Sequence, residues 1–188
     1  MQLILASESP RRRELLKLIG LEFSCVASKV NETGILSQTP EAIVEELALK
    51  KALAVREHNT NACIIGADTI VYIDDEIIGK PIDDNDAIYI LDKLQGKTHT
   101  VYTGIAVLSP KLQSVSHDAT RVTFVPMDKT EILWYVSTGE PRDKAGAYGI
   151  QGPGGIFIER IEGNYFTVIG LPLPLLYKML KKAGAMNF

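Results

Sequence analysis

The chain reads as an α/β protein built on one mixed β-sheet flanked by helices. Three observations predict it. Short apolar runs alternate with segments that open on a helix cap followed by proline, at Ser9-Pro10 and Thr39-Pro40. Other apolar runs follow one another with only a turn between them, as around Asp74-Asp75, which is the order of a hairpin. Two long β-rich stretches, 98–108 and 114–126, come in succession without a helical segment between them. Helices between some strands and turns between others give a sheet with both parallel and antiparallel neighbours.

The elements follow in order. Leu3-Ile4-Leu5-Ala6 is a buried strand that stops at Ser7. Ser9 can cap the next helix and Pro10 suits its first turn, where a missing N–H leaves nothing unpaired. Leu15, Leu16, Leu18 and Ile19 give that helix its apolar face, and Gly20 ends it. Residues 22–27 read as a second strand. Thr39-Pro40 starts a longer helix with Ile43, Val44, Leu47, Ala48 and Ala52 at helical spacing. Residues 62–65 form a buried strand ending in Gly66-Ala67-Asp68-Thr69, and 70–73 with 76–78 form the hairpin. The aspartates at 83–86 cap a helix carrying Ala87, Ile88, Ile90, Leu91 and Leu94, which Gly96 stops. Asp128-x-x-Glu131 has the form of a capping box. Gly163-Asn164 reads as a tight hairpin turn, and 175–182 as a last amphipathic helix. No repeat, low-complexity tract or linker divides the chain, so residues 1–188 are taken as a single domain.

Composition narrows the function. Hydrophobic residues make up 46% and charged residues 23%, a globular rather than disordered balance. Twenty Lys+Arg against 23 Asp+Glu give a formal charge of −3, whereas a protein that neutralises duplex phosphates is normally basic; a nucleic-acid polymer is therefore not the expected partner. No segment approaches the roughly twenty apolar residues of a membrane span. The N-terminal basic cluster follows its apolar stretch, the reverse of a secretory signal, so a cytoplasmic location is expected. Cys25 and Cys63 lie in apolar contexts without partners at metal-ligand spacing, and both are expected as buried, reduced thiols.

Four constellations carry chemistry. Ser7-x-Ser9-Pro10-Arg11-Arg12 sits where a strand becomes a helix, and free N–H groups plus guanidinium forks there suit phosphate oxygens. Arginines in a first turn oppose the helix dipole, which a bound anion would offset; a solvated basic turn is the alternative. Gly66-Ala67-Asp68-Thr69, followed by Gly79-Lys80-Pro81, places a carboxylate able to bind Mg²⁺ or orient a water, with Lys80 as a point charge for phosphate. A turn-forming aspartate is the other reading of Asp68, and a surface glutamate that of Glu32, which could serve as a second oxygen ligand. Lys50-Lys51, near the end of the second helix, also reads as a complement to the dipole. Eight of the 15 glycines lie in 139–170 and six of them in 139–155, as in a binding loop or a flexible surface loop. Gln151 there is an amide, donor and acceptor together, the chemistry that reads a pyrimidine edge. No nucleophile elbow, H-E-x-x-H or Walker A pattern competes, and the residues favour metal-assisted attack of water on phosphorus.

Seven ordered blocks resemble the Maf-type nucleoside triphosphate pyrophosphatases: LASESPRRRELL, LALKKA, GADT, GKP, LQGKTHTVYTG, GEPRDKAGAYGIQGPGG and GNYFTVIGLPL. The resemblance implies an elongated mixed sheet in two lobes with a cleft, the architecture of inosine-triphosphate pyrophosphatases. It implies cleavage between the α and β phosphates to give the monophosphate and pyrophosphate with Mg²⁺ or Mn²⁺. Asp68 then corresponds to the catalytic proton acceptor and, with Glu32, to the metal carboxylates. Ser7, Arg11, Arg12, Lys51 and Lys80 correspond to the polar and basic substrate residues. The lysine before alanine in the family block selects Lys51 over Lys50. Arg11, Thr69 and Gln151 match the branch acting on dTTP and UTP rather than that acting on 7-methyl-GTP. Housecleaning of modified pyrimidine nucleotides is compatible with the same residues. A homodimer is the family expectation, and a nucleotide-binding regulator of septum formation is the alternative role.

Overall fold

The computed structural model describes residues 1–28, 30–31 and 35–186. Leu3, Ile4 and Leu5, all buried, form β1 (Leu3–Leu5), and α1 (Pro10–Leu18) follows. The second strand is shorter than expected: β2 covers Ser24–Cys25 only. It is an edge strand paired to β1 alone, and Cys25 is exposed there while Cys63 is buried. Then come α2 (Pro40–Arg56), β3 (Cys63–Ile73), β4 (Glu76–Ile78), α3 (Asp84–Leu94), β5 (Thr98–Leu108) and β6 (Gln113–Phe124). The chain ends with α4 (Lys129–Ser137), three 3₁₀ turns (Glu140–Asp143, Ala145–Ala147 and Pro153–Phe157), β7 (Ile158–Glu162), α5 (Tyr165–Ile169) and α6 (Leu173–Lys182).

The sheet is mixed and seven-stranded, in the order β2-β1-β3-β5-β6-β7 with β4 paired to β3. β1 is parallel to β2 and β3, while β3–β4 and β6–β7 are antiparallel. Asp74 and Asp75 both take positive φ (50° and 61°), the backbone of a tight two-residue hairpin. Three helices start as their sequences dictate. Thr39 accepts from the Ala42 N–H at 3.3 Å and Asp83 from Asp86 at 2.8 Å. Asp128 and Glu131 close a reciprocal capping box at 2.9 and 2.7 Å.

Two expectations fail for tertiary reasons. β3 does not stop at Gly66; it runs unbroken for eleven residues, with Asp68 inside it. Gly66 is not a turn residue but a point of close approach, because a Cβ there would collide with the Ala48 carbonyl of α2. Gly104 of β5 meets the Val44 carbonyl of the same helix in the same way. Nor does Gly163-Asn164 form a hairpin. Asn164 exchanges backbone hydrogen bonds with Thr120 Oγ1, and its side chain accepts from the Phe166 N–H at 3.0 Å, turning the chain into α5.

The chain divides into two compact units. The first takes Met1–Asp68, Thr103–Asp118 and the chain from Gly170 onward. One of its cores packs α2 on the sheet through Ile4, Ala6, Ala48, Ala52, Ile64 and Ala106. The second takes Thr69–Tyr102 and Ala119–Ile169. Its core is larger-grained, around Ile90, Leu94, Phe124, Tyr135, Tyr148 and Phe157.

Candidate active site

In the first unit, β1 delivers Ser7 to the start of α1. The Ala6 N–H still bonds the Ile65 carbonyl at 2.8 Å, and the chain leaves the sheet one residue later. Ser7 is 8% exposed, and its Oγ accepts from the Ser9 N–H at 3.2 Å and from the Arg12 guanidinium at 3.3 Å. Arg12 Nε also donates to the Gly170 carbonyl at 2.8 Å, which fixes the fork over the helix start. Ser9 occupies the N-cap position but makes no side-chain cap, contrary to expectation, and the first turn holds no acidic residue. Half-buried Arg11 and Arg12 lie in that turn. The helix start thus carries two guanidinium groups with no acidic side chain in its first turn to complement the dipole.

Among the described residues, Asp68 is the buried carboxylate of this unit, 7% exposed in the middle of β3. Lys51 Nζ donates to its Oδ1 at 2.6 Å. The contact is possible because Gly66 draws α2 against β3; Lys51 lies one helical turn beyond Ala48 and Asp68 two residues beyond Gly66, on the same strand face. Two charges this far from water persist when paired by a charge-assisted hydrogen bond. Lys50, by contrast, pairs with Glu46 at 2.7 Å within the helix. Lys50, Ser37 and local backbone groups hold the Glu46 carboxyl down at about 2.

The remaining predicted residues fall in the second unit. Thr69 follows Asp68 on β3 and is half-buried, while Lys80 and Gln151 are exposed. The Gly79 carbonyl accepts from the Gly146 N–H at 2.9 Å, tying the Gly79-Lys80-Pro81 segment to the glycine-rich chain. Gly146 needs its glycine: its φ is 73°, and a Cβ would lie 2.7 Å from Val71 Cγ2. Thus Ser7 meets Arg12 and Lys51 meets Asp68, while Lys80 and Gln151 stand on two segments joined through backbone. Glu32 lies outside the described residues. Among the described residues no three His, Cys, Asp or Glu side chains gather to hold a metal ion, and no helix is long and apolar enough to cross a membrane.

The glycine-rich segment is not an open surface loop. Residues 146–149 are buried, and side chains that sequence reasoning passed over hold it. Tyr135, fully buried in α4, accepts from the Gly149 N–H at 3.0 Å. Glu140 accepts from the Gly154 N–H at 2.8 Å. Tyr148 OH meets His99 Nε2 at 2.7 Å. Lys144 donates to the Glu140 carbonyl and to Asp143, at 2.7 and 2.8 Å. Tyr135 lies on a helical pattern and Tyr148 in the glycine-rich segment, but neither setting shows which groups their hydroxyls reach.

A mixed sheet with flanking helices places the chain among the α/β proteins, and its first unit carries an arginine-bearing helix start and a buried carboxylate–ammonium pair. The Staphylococcus aureus Ham1 protein has this fold, with a TM-score of 0.59 over 97% of this chain and 99% of its own at 15% identity. The sequence model of the Maf-like protein family matches residues 2–183, and the chain belongs to that family. It is similar to the dTTP/UTP pyrophosphatase of Aquifex aeolicus, 49% identical over 97% of this chain and 95% of the relative. The dTTP/UTP pyrophosphatases of Geobacillus sp. (48%, covering 97% and 98%) and Pelotomaculum thermopropionicum (49%, covering 97% of each) are similarly related.

Proposed function

We propose that the chain is a dTTP/UTP pyrophosphatase, cleaving the P–O bond between the α and β phosphates to give the monophosphate and pyrophosphate. The observation that carries this reading is the Lys51–Asp68 pair, a buried carboxylate held at 2.6 Å in a family whose relatives bear that activity in their names. Asp68 takes the proton of the attacking water as the water oxygen bonds to phosphorus, and pyrophosphate leaves with the electron pair of the broken bond. Ser7, Arg11, Arg12, Lys51 and Lys80 bind and orient the triphosphate. Thr69 and Gln151 contribute to the choice of a pyrimidine base.

Mg²⁺, or Mn²⁺ in its place, fits this donor set. Such ions are commonly held by one or two carboxylates together with substrate phosphates, so Asp68, with Glu32 as the second oxygen donor, would hold the ion without an all-protein cage. When bound, the ion neutralises triphosphate charge. We further read residues 1–188 as one functional domain, acting in the cytoplasm as a homodimer on nucleotides rather than nucleic-acid polymers, with modified pyrimidine triphosphates among its substrates.

The test is pyrophosphate release from a panel of nucleoside triphosphates with Mg²⁺ or Mn²⁺. UTP and dTTP should lead the panel. Asp68→Asn should lower their turnover by about 10²-fold or more, with native circular dichroism retained. A variant near wild-type rate removes Asp68 from the mechanism. Tight nucleotide binding with no hydrolysis by the wild-type protein would point instead to a nucleotide-binding regulator.

A further inference from the structure

We infer that Tyr135 and Glu140 are positioning residues that hold Gln151 in its base-reading place, and so help set pyrimidine preference. The inference rests on the reading of Gln151 as the base-contacting amide. Gln151 is exposed, yet it is bracketed by two fixed backbone groups: Gly149 N–H on Tyr135 OH at 3.0 Å, and Gly154 N–H on Glu140 Oε2 at 2.8 Å. Three of the six residues from 149 to 154 are glycine, which leaves the backbone on both sides of Gln151 free to turn, and the two anchors limit that freedom together with Ile150 packed on the core and the Gly155 N–H bonded to the Gly152 carbonyl at 2.9 Å.

The anchors also fill the space that side chains on the segment would need. A Cβ at Gly152 would meet the Glu140 carboxylate, and one at Gly154 would meet the Tyr135 hydroxyl. A Cβ at Gly149 would lie 3.0 Å from Glu140 Oε1 and 2.8 Å from Lys144 Cε. The two anchors are themselves joined. Tyr135 belongs to α4 and Glu140 to the 3₁₀ turn that follows it, with the Glu140 N–H bonded to Thr138 Oγ1 at 3.2 Å. Burial, and the Glu140 carboxylate beside it, push the Tyr135 hydroxyl up, so it stays a neutral phenol that can accept from Gly149 while keeping its proton. A recognition amide discriminates only when its position is set before the ligand arrives, and a displacement of about 1 Å can cost as much as 10²-fold.

Five variants test it: Gln151→Ala, Glu140→Ala, Glu140→Gln, Tyr135→Phe and the Glu140→Ala/Gln151→Ala double variant, each assayed for kcat and KM on UTP and GTP and for Tm. Gln151→Ala should lower the UTP-to-GTP ratio of kcat/KM. Glu140→Ala and Tyr135→Phe should each lower the same ratio by about tenfold, and Glu140→Ala in the Gln151→Ala background should lower it no further. Glu140→Gln, whose amide oxygen can still accept from Gly154, should restore most of the ratio. A general structural role would instead lower both substrates together and leave the ratio intact, and that outcome overturns the inference. Should Glu140→Ala fail to fold, Tyr135→Phe, which loses one oxygen and keeps the ring, decides alone. A ratio lost in Gln151→Ala but kept in both anchor variants overturns the positioning role while the base reading stands. A ratio kept in Gln151→Ala overturns the base reading, and the inference with it.

Discussion

At the scale of single residues, His99 shows how a buried polar group can be tuned by its surroundings. It is 2% exposed, its Nε2 meets Tyr148 OH at 2.7 Å, and its ring stands edge-on to Phe124 and Tyr148. Nδ1 is the buried side-chain N or O that lacks a hydrogen-bond partner among the described residues. Burial pulls the imidazole down from 6.5 to about 4, so the native state holds it neutral where the unfolded chain takes up a proton. Between those values the unfolded state binds more protons, and stability falls as pH falls, by at most about 1.4 kcal/mol per pH unit. His99→Gln removes the titration. Urea unfolding at pH 7.5, 6.5 and 5.5 should show the wild type losing stability relative to this variant as pH drops. Parallel curves for the two proteins would mean that His99 is not the group responsible.

At the scale of elements, the contact of α2 with the sheet fixes where Lys51 and Asp68 meet. Gly66 and Gly104 press against backbone carbonyls of α2, which cannot move aside as a side-chain end can. Gly66→Ala and Gly104→Ala should each destabilise the protein by about 1–3 kcal/mol, as overpacking does. Gly79→Ala, with nothing within 4 Å of its added methyl, should stay within about 0.5 kcal/mol of wild type. Shifts in the urea midpoint check all three. Similar midpoints for Gly66→Ala and Gly79→Ala would show that α2 can back away from the sheet. This contact also explains what was legible in the sequence. Caps at Thr39, Asp83 and Asp128 are local chemistry, complete within four residues, and all three formed. The role of Gly66 depends on a helix 14–18 residues earlier in the chain, so its glycine looked like a strand end when it was a packing surface. The resemblance singled out Lys51, and the structure gives the physical difference: Lys50 faces Glu46 on its own helix, whereas Lys51 reaches Asp68. Glu140 and Tyr135 stayed hidden because side chain-to-backbone bonds across a glycine-rich turn leave no periodic trace.

At the scale of the whole molecule, a formal charge of −3 says little about a phosphate site, because the motif blocks carry Arg11, Arg12, Lys51 and Lys80 while the acids are spread along the chain. The averaged field bears on polymers; the local one bears on a small polyanion. Continuity of the chain between its two compact units bears on stability as well. β3, β5 and β6 each cross from one compact unit to the other, at 68/69, 102/103 and 118/119, without a break in the strand. Unfolding one unit alone would therefore have to fray three strands in mid-length, leaving their inner N–H and C=O groups without ladder partners. The two units should then unfold as one cooperative event despite having separate hydrophobic cores. Far-ultraviolet circular dichroism reports both units, while the fluorescence of the single tryptophan, Trp134, reports the second unit. Urea curves from the two signals should superimpose, with one midpoint and one slope. A tryptophan transition separated from the circular dichroism transition would show that the second unit melts independently, and that the strands shared along the chain do not couple the two cores.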